Sequence, residues 1–400
     1  MKLLNKQNLR RFLLTKILLL FFLFNANSQL NLNKSFVDSI SINLDSFIGD
    51  EFFEYGYNIK LRDSLLLIFP FEKEVFFKFN INTHQIEEIS FSNNHKNSYY
   101  ERRYIISNKI ITCDILKAEI FHFDWEGNLI RKIKLKLFWN KYQIPLFGNF
   151  IPTENNNYLL PISKRYKGFD KMQSEKELKR YYGRQGLIGV FDDRGKLIKK
   201  VGQYDSIYQD RLLKHSDKYY FTLIDKSKII LSQHLSHNLQ VIDLETDSLV
   251  NLNFKGKHIE KDRGQIPTVE SENYEDYNSY IIESFHYGSI RTFNKNRMIY
   301  RYYQKSYKDT TTNKNLNLPE ENKKENLCVP PSQRELNQKQ IIKNKELYFQ
   351  LIDIDKEKVL YDDVFPFRGK YLYRFNDETI WTGKLSLEEI KLYKYNVVLE

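Results

Sequence analysis

A handful of histidines, tyrosines and arginines sit where they could do chemistry in this 400-residue chain. His234-x-x-His237 has a spacing that can hold a metal, but it falls at a strand-to-strand turn with no third ligand in the neighbouring sequence. A structural or surface role is therefore expected there, and no metal site. His286, Tyr287 and Arg291 flank the start of a strand expected to be innermost, where side chains can face a ligand. They are the candidate contacts on that strand, weighed against ordinary core packing. The segment from Lys164 to Arg184 carries a surplus of five positive charges interleaved with Tyr166, Phe169, Tyr181 and Tyr182. Its candidate contacts are Arg165, Tyr166, Arg180, Tyr181 and Tyr182. One reading is a basic-aromatic lid for an anionic glycan, peptide or partner protein. The other is a solvated helix whose tyrosines pack on the strands beneath.

Other chemistries lack their residues. There is no Gly-x-Ser-x-Gly elbow, His-Glu-x-x-His zinc helix or Walker loop. Gly183-x-x-Gly186-x-x-Gly189 has phosphate-loop spacing but leads into a strand, so no helix N-terminus follows to hold an anion. No catalytic residue and no cofactor is assigned.

The elements that must position these residues repeat a short phrase: a strand, an acidic or amide residue, a tight turn and a second strand. It occurs around Asn80, Asp124, Asp192, Asp243 and Asp353. Asp, Asn and Gly suit such turns because they tolerate positive φ and can bond the backbone two residues on. A further hairpin precedes each phrase, so the unit is four strands. A sixth hairpin, Tyr371–Phe375 with Thr379–Thr382, is followed by a single strand, Ile390–Leu399. The alternating segment Phe36–Ile42 is left without a sheet at the other end. Pairing the two gives an all-β, six-bladed propeller closed by its N-terminal strand, which removes two exposed strand edges. A seventh, degenerate blade within 251–280 is the alternative.

The phrase Phe-Asp-x-x-Gly-x-Leu-Ile-x-Lys-[Ile/Val], at Phe123–Ile133 and Phe191–Val201, resembles the third-to-fourth strand turn of six-bladed propellers of the TolB-like and NHL-like kind. The likeness is greatest to uncharacterised exported propellers of bacterial envelopes. It implies a fold and a location, and little chemistry.

Three stretches exceed what blades need: 164–184, 255–280 and 305–345. Antiparallel order places all three on one face, opposite the short turns, and loops on a rigid scaffold are where recognition usually sits. The first holds a capping box, Ser174-x-x-Glu177, and Gly183 as a stop, so it should contain a short helix.

Lys2, Lys6, Arg10, Arg11 and Lys16 precede the apolar run Ile17–Phe24 and the small residues before Gln29. This reads as a secretory signal over 1–28, leaving 29–400 as one propeller domain with no transmembrane segment after cleavage. The net charge of +11 falls to +6 without those five residues, and the remaining charges are scattered, so no nucleic-acid partner is expected. Cys113 and Cys328 are expected to be two free thiols. Triplets such as Asp205-Ser-Ile and Asp247-Ser-Leu could accept bacterial O-glycans or simply be turn chemistry.

Together these readings favour an exported, periplasmic or extracellular binding or scaffold protein, expected to be monomeric. Its partner would be a protein, peptide or glycan of the envelope, held across the insertion-bearing face. The alternative is a saccharide- or lactone-acting hydrolase or lyase using carboxylates in the central channel. The expected inner strands show no repeated acid, amide or histidine to support that chemistry.

Overall fold

A computed structural model describes residues 32–43, 57–62, 64–70, 73–97, 101–106, 109–136, 142–145, 149–164, 175–183, 185–211, 218–259, 286–293, 298–304, 347–367, 371–375, 379–385 and 389–399. Strand β1 (Leu32–Asn43) comes first and is used last. Blade 1 is β2 (Tyr57–Arg62), β3 (Leu65–Pro70), β4 (Val75–Asn80) and β5 (Ile86–Ser90). Blade 2 is β6 (Glu101–Ile106), β7 (Lys109–Asp114), β8 (Glu119–Phe123) and β9 (Leu129–Lys134). A small ladder, β10 (Tyr142–Gln143) with β13 (Ser163–Lys164), flanks blade 3, which is β11 (Ile151–Pro152), β12 (Tyr158–Pro161), β14 (Gln185–Phe191) and β15 (Leu197–Gln203). Blade 4 is β16 (Tyr219–Leu223), β17 (Lys228–Gln233), β18 (Asn238–Asp243) and β19 (Leu249–Asn253). Blade 5 is β20 (His286–Phe293), β21 (Met298–Gln304), β22 (Leu347–Asp353) and β23 (Lys358–Val364). Blade 6 is β24 (Tyr371–Phe375), β25 (Thr379–Leu385) and β26 (Glu389–Leu399), completed by β1.

The closure is antiparallel from Leu32 opposite Leu399 to Asn43 opposite Glu389, with one irregularity between Phe36 and Asp38. Six hydrophobic clusters fill six seams. Leu67 and Phe69 meet Ile110 and Phe123 between blades 1 and 2. Equivalent clusters join each following pair. The last sets Ile40, Ile42, Trp381 and Ile390 against Leu66, Ile68 and Phe77, so blade 6 meets blade 1 and the ring is shut. Successive side chains of a strand point to opposite faces, and here each face is a seam. That is why β3 reads as an unbroken apolar run, Leu65-Leu-Leu-Ile-Phe69, while outer strands such as β5 are exposed at most positions.

The two sharp glycine turns have a specific job. Gly127 and Gly195 take φ of +82° and +75°, and a Cβ on either would lie 2.3 or 2.4 Å from a backbone oxygen, Ser90 O or Lys134 O respectively. Each turn docks on the chain leaving the preceding blade: Ser92 N donates to Gly127 O (2.9 Å) and Lys136 N to Gly195 O (2.6 Å). Other turns take positive φ without glycine, at His84, Asp247 and Glu357.

Outer strands also reach forward to the next blade. Arg131 Nη2 lies 3.5 Å from Asp193 Oδ2, and Lys199 Nζ 2.6 Å from Asp247 Oδ1. These pairs are solvent-facing, so each is worth about 0–1 kcal/mol. Arg131→Ala is expected to lower stability by less than about 1 kcal/mol, an effect that weakens with added salt and can be read from urea melts.

Two helices are present among the described residues. Helix α1 (Glu175–Tyr182) lies where the capping box places it and is ended by Gly183, whose N–H donates to Lys179 O (2.8 Å). Helix α2 (Ser206–Arg211) was not anticipated. Asp205 starts it by accepting Ile207 N at Oδ1 (3.0 Å), so this Asp-Ser pair is a helix cap. Of the insertions, 165–174, 260–285 and 305–346 lie outside the described residues, as do Cys328 and the segment 1–28. Cys113 is buried and free, and burial raises its thiol pKa.

Candidate functional site: the central channel

The first strand of each blade lies innermost, with β16 beside β20 and β2 beside both β6 and β24. Arg102 and Arg103 on β6 and Arg291 on β20 act electrostatically on Lys60 of β2, and Arg291 acts also on Tyr104 of β6. Alternation places Arg102 and Tyr104 on one face of β6, opposite Cys113 and Ile111 in the ladder. Glu101 and Arg103 take the other face.

Lys60 is half-buried, and among the described residues it has no carboxylate partner. Its charged neighbours are Arg291, Arg103 and Arg102, all cations. Burial first, and then repulsion from those three, pushes its ammonium down to about 7. Arg103 has a local counter-charge in Glu101. Its Nη2 lies 2.8 Å from Glu101 Oε2 and donates to Asn97 Oδ1 (3.2 Å), and the guanidinium sits over the Phe69 ring. His95 Nε2 also meets Glu101, at 2.9 Å from Oε1. Arg291 is exposed toward solvent and hydrogen-bonds the Tyr300 phenol. Burial holds that phenol up at about 12, the arginine notwithstanding. Beside them the Tyr302 hydroxyl is buried and makes no hydrogen bond among the described residues.

The histidines named from the sequence form a seam. His234 and His286 stack with ring centroids 4.7 Å apart and planes 11° from parallel. His237 Nδ1 lies 2.8 Å from Tyr287 Oη, and Tyr287 N donates to His234 O. Both histidines of the turn between β17 and β18 thus meet the start of β20, joining blades 4 and 5. Tyr287 is fully buried, and the guanidinium of Arg301 stacks on its ring at 3.7 Å. Arg301 Nε donates to Gln350 Oε1 (2.8 Å), and Gln350 Nε2 to Asp362 Oδ2 (2.9 Å). Asp362 also accepts Lys257 N and the Tyr303 hydroxyl, so this network pins residues 254–259 onto blade 5.

Of the candidate contacts on the first insertion, Arg180 is exposed on α1, while Tyr181 and Tyr182 are buried at 5% and 0% exposure. They pack with Tyr204, Tyr208 and Tyr219. The apolar side of a short amphipathic helix turns these two tyrosines into the seam between blades 3 and 4. Arg165 and Tyr166 lie outside the described residues. Arg291 acts electrostatically on Lys60, a residue that sequence reasoning did not single out. His286 and Tyr287 sit on the same strand but face the seam.

Neither a protein-family model nor a curated protein matches the sequence. Among solved structures, a DUF4221-family member from Bacteroides vulgatus ATCC 8482 aligns with a TM-score of 0.57 at 13% identity, covering 94% of this chain and 100% of that one. A Bacteroides fragilis NCTC 9343 protein provisionally named as exported aligns at 0.49 and 12% identity, over 93% and 96%. A luciferin-regenerating enzyme aligns at 0.42 and 6% identity, over 90% and 95%. The first likeness shows a shared fold and nothing of activity; the other two carry no argument.

Proposed function

We propose that this chain is an exported recognition propeller of the TolB-like or NHL-like kind, one domain over 29–400 once residues 1–28 are removed. It holds a protein, peptide or glycan of the cell envelope on the face that bears the insertions. The observation that carries this reading is where the polar groups are spent. Every buried carboxylate among the described residues has a structural task. Glu101 pairs with Arg103, Asp205 caps α2, and Asp362 holds the Arg301 network. Asp114 and Asp353 close turns by accepting Lys117 N and Lys356 N. Lys60, Arg102, Tyr104 and Arg291 on the inner strands are cations and a phenol, which suit binding an anionic group better than general acid-base hydrolysis.

The experiment is capture from envelope extract by the mature protein and by a Lys176→Glu, Lys179→Glu, Arg180→Glu variant. These three side chains are exposed on α1, so charge reversal leaves the Tyr181–Tyr182 packing in place. The expected result is a partner retained by the wild type and lost at least tenfold by the variant. Equal recovery by both moves the contact off this insertion. Turnover of a saccharide or lactone panel by the wild type would instead support the hydrolase.

A further inference from the structure

We infer that the outer rim of blades 2 and 3 is a docking surface for an anionic lipid bilayer. Lys134, Lys136, Arg194 and Lys196 would meet the headgroups, and Ile130 and Ile198 the apolar boundary beneath them. This surface belongs to the circumference of the ring and is separate from the insertion-bearing face, so it does not rest on the recognition reading above.

Residues 129–136 and 192–203 hold eight cations against Asp192 and Asp193. Packing of blade 2 on blade 3 sets part of these two stretches side by side. Lys136 N donates to Gly195 O (2.6 Å), Lys136 and Lys196 form a parallel bridge, and a Cβ on Gly195 would lie 2.4 Å from Lys134 O. Lys134, Lys136, Arg194 and Lys196 are all exposed there. Arg131, Lys132 and Lys199 have carboxylate partners in Asp193, Glu119 and Asp247. Among the described residues no carboxylate lies within ion-pair distance of Lys134, Lys136, Arg194 or Lys196. Asp192 offsets part of the charge of the last two, but its Oδ1 is committed to the turn, accepting Arg194 N (3.0 Å) and Lys196 N (2.7 Å). The fold does not require these cations. The same joint between blades 1 and 2, where Ser92 N donates to Gly127 O, has Ser90, Ser92, Glu126 and Asn128 in the matching positions, and β5 beside it exposes Glu87 and Glu88. The positive charge is concentrated in one sector of the rim.

The same sector also exposes aliphatic side chains. Ile130 in β9 and Ile198 in β15 are skipped in the ladders with β8 and β14, each as the extra residue of a bulge, and are 51% and 54% exposed. A bulge re-aims a side chain, and in both blades the re-aimed residue is an isoleucine next to a cation, Arg131 or Lys199. Cations beside exposed aliphatics match the boundary of a bilayer, where anionic headgroups overlie hydrocarbon. The attraction amounts to about fivefold in partitioning for each cation near an anionic surface. The circumference of a ring is convex, whereas small ligands are held in concave sites. An acidic polymer would meet the charges but gain nothing from the isoleucines.

The test is flotation of the mature full-length protein with mixed phosphatidylglycerol–phosphatidylcholine vesicles and with phosphatidylcholine vesicles alone, at low and high salt. Partitioning at least tenfold stronger is expected on the anionic vesicles, falling toward the neutral level as salt screens the charges. A Lys134→Glu, Lys136→Glu, Lys196→Glu variant should lose at least tenfold. A Lys96→Glu, Lys218→Glu, Lys257→Glu variant changes the net charge equally at exposed positions elsewhere and should stay within about threefold of wild type. Ile130→Ser, Ile198→Ser should bind at least threefold more weakly. All three proteins should melt like wild type, because the altered side chains already stand in water, and the melt separates lost binding from lost folding. Wild type that does not prefer anionic vesicles overturns the inference, as do equal losses in the two charge-reversed variants, which would make net charge alone the cause. Binding of polygalacturonate without binding of vesicles assigns the rim to an acidic polymer and overturns the lipid. An isoleucine variant that partitions like wild type does the same, since only a bilayer rewards those side chains. A protein that captures an envelope partner yet ignores anionic vesicles refutes this surface and leaves the recognition function standing.

Discussion

Deleting residues 29–43 is expected to leave a chain that does not hold a closed ring at 37 °C. Strand β1 supplies the fourth strand of blade 6 and pairs with β26 along its whole length. Ile40 and Ile42 are buried in the seam between blades 6 and 1, and each such side chain contributes roughly 1.5–3 kcal/mol. With the ladder bonds lost as well, the cost is on the order of 5 kcal/mol or more, against a total stability of about 5–15 kcal/mol for a typical domain. The deletion also bares the edge of β26, so aggregation should accompany unfolding. A thermal melt and light scattering read both effects. A synthetic peptide of residues 29–43 should restore the melt in trans, and a truncated protein that melts like the full chain would refute the closure.

The second large effect is expected at Gly127 and Gly195. Alanine at either position meets two penalties together. Positive φ costs an L-residue roughly 1–2 kcal/mol, and the new methyl would sit well inside contact distance of the preceding blade's backbone oxygen. Because that neighbour is backbone, relief means shifting one blade against the next and stretching the bond from Ser92 N or Lys136 N. About 3–5 kcal/mol is expected for each, in the range that marks a named structural fault. Asp247→Ala, at a positive-φ turn with its side chain on Lys199, is the comparison. It should cost only about 1–2 kcal/mol, since αL strain is added without a clash. Equal losses at all three positions would mean that turn conformation, and not blade docking, sets the penalty.

The ring was legible from the sequence because hairpins and turns are local. The phrases around Asn80, Asp124, Asp192, Asp243 and Asp353 each join the third and fourth strands of a sheet, and Phe36–Ile42 closes the sixth. What those turns touch was not legible. The glycines at 127 and 195 read as turn formers, yet their second constraint comes from a strand that ends more than thirty residues earlier in the chain. Tyr181 and Tyr182 read as packing ahead of a lid, but a two-turn helix does not by itself reveal which side is covered. Helix α2 hid behind an Asp-Ser pair that also suits turns. Lys60 and Arg102 escaped for another reason: a charged position in an inner strand has the same alternating signature as one in an outer, solvent-facing strand. Arg291 was found because it followed His286 and Tyr287, which belong to the seam.

The order of the strands also sets a timetable for assembly. The segment that seals the circle leaves the ribosome before any of the six hairpin-built sheets, and its mate arrives more than 340 residues later. Five sheets can form from near neighbours as they emerge, but the last must wait for both ends. Contacts this distant along the chain slow a fold. Until β26 has been made, β1 remains a sticky, unmatched ribbon. A holding chaperone that shields such a ribbon should therefore speed recovery of the native protein more than one acting on any middle blade.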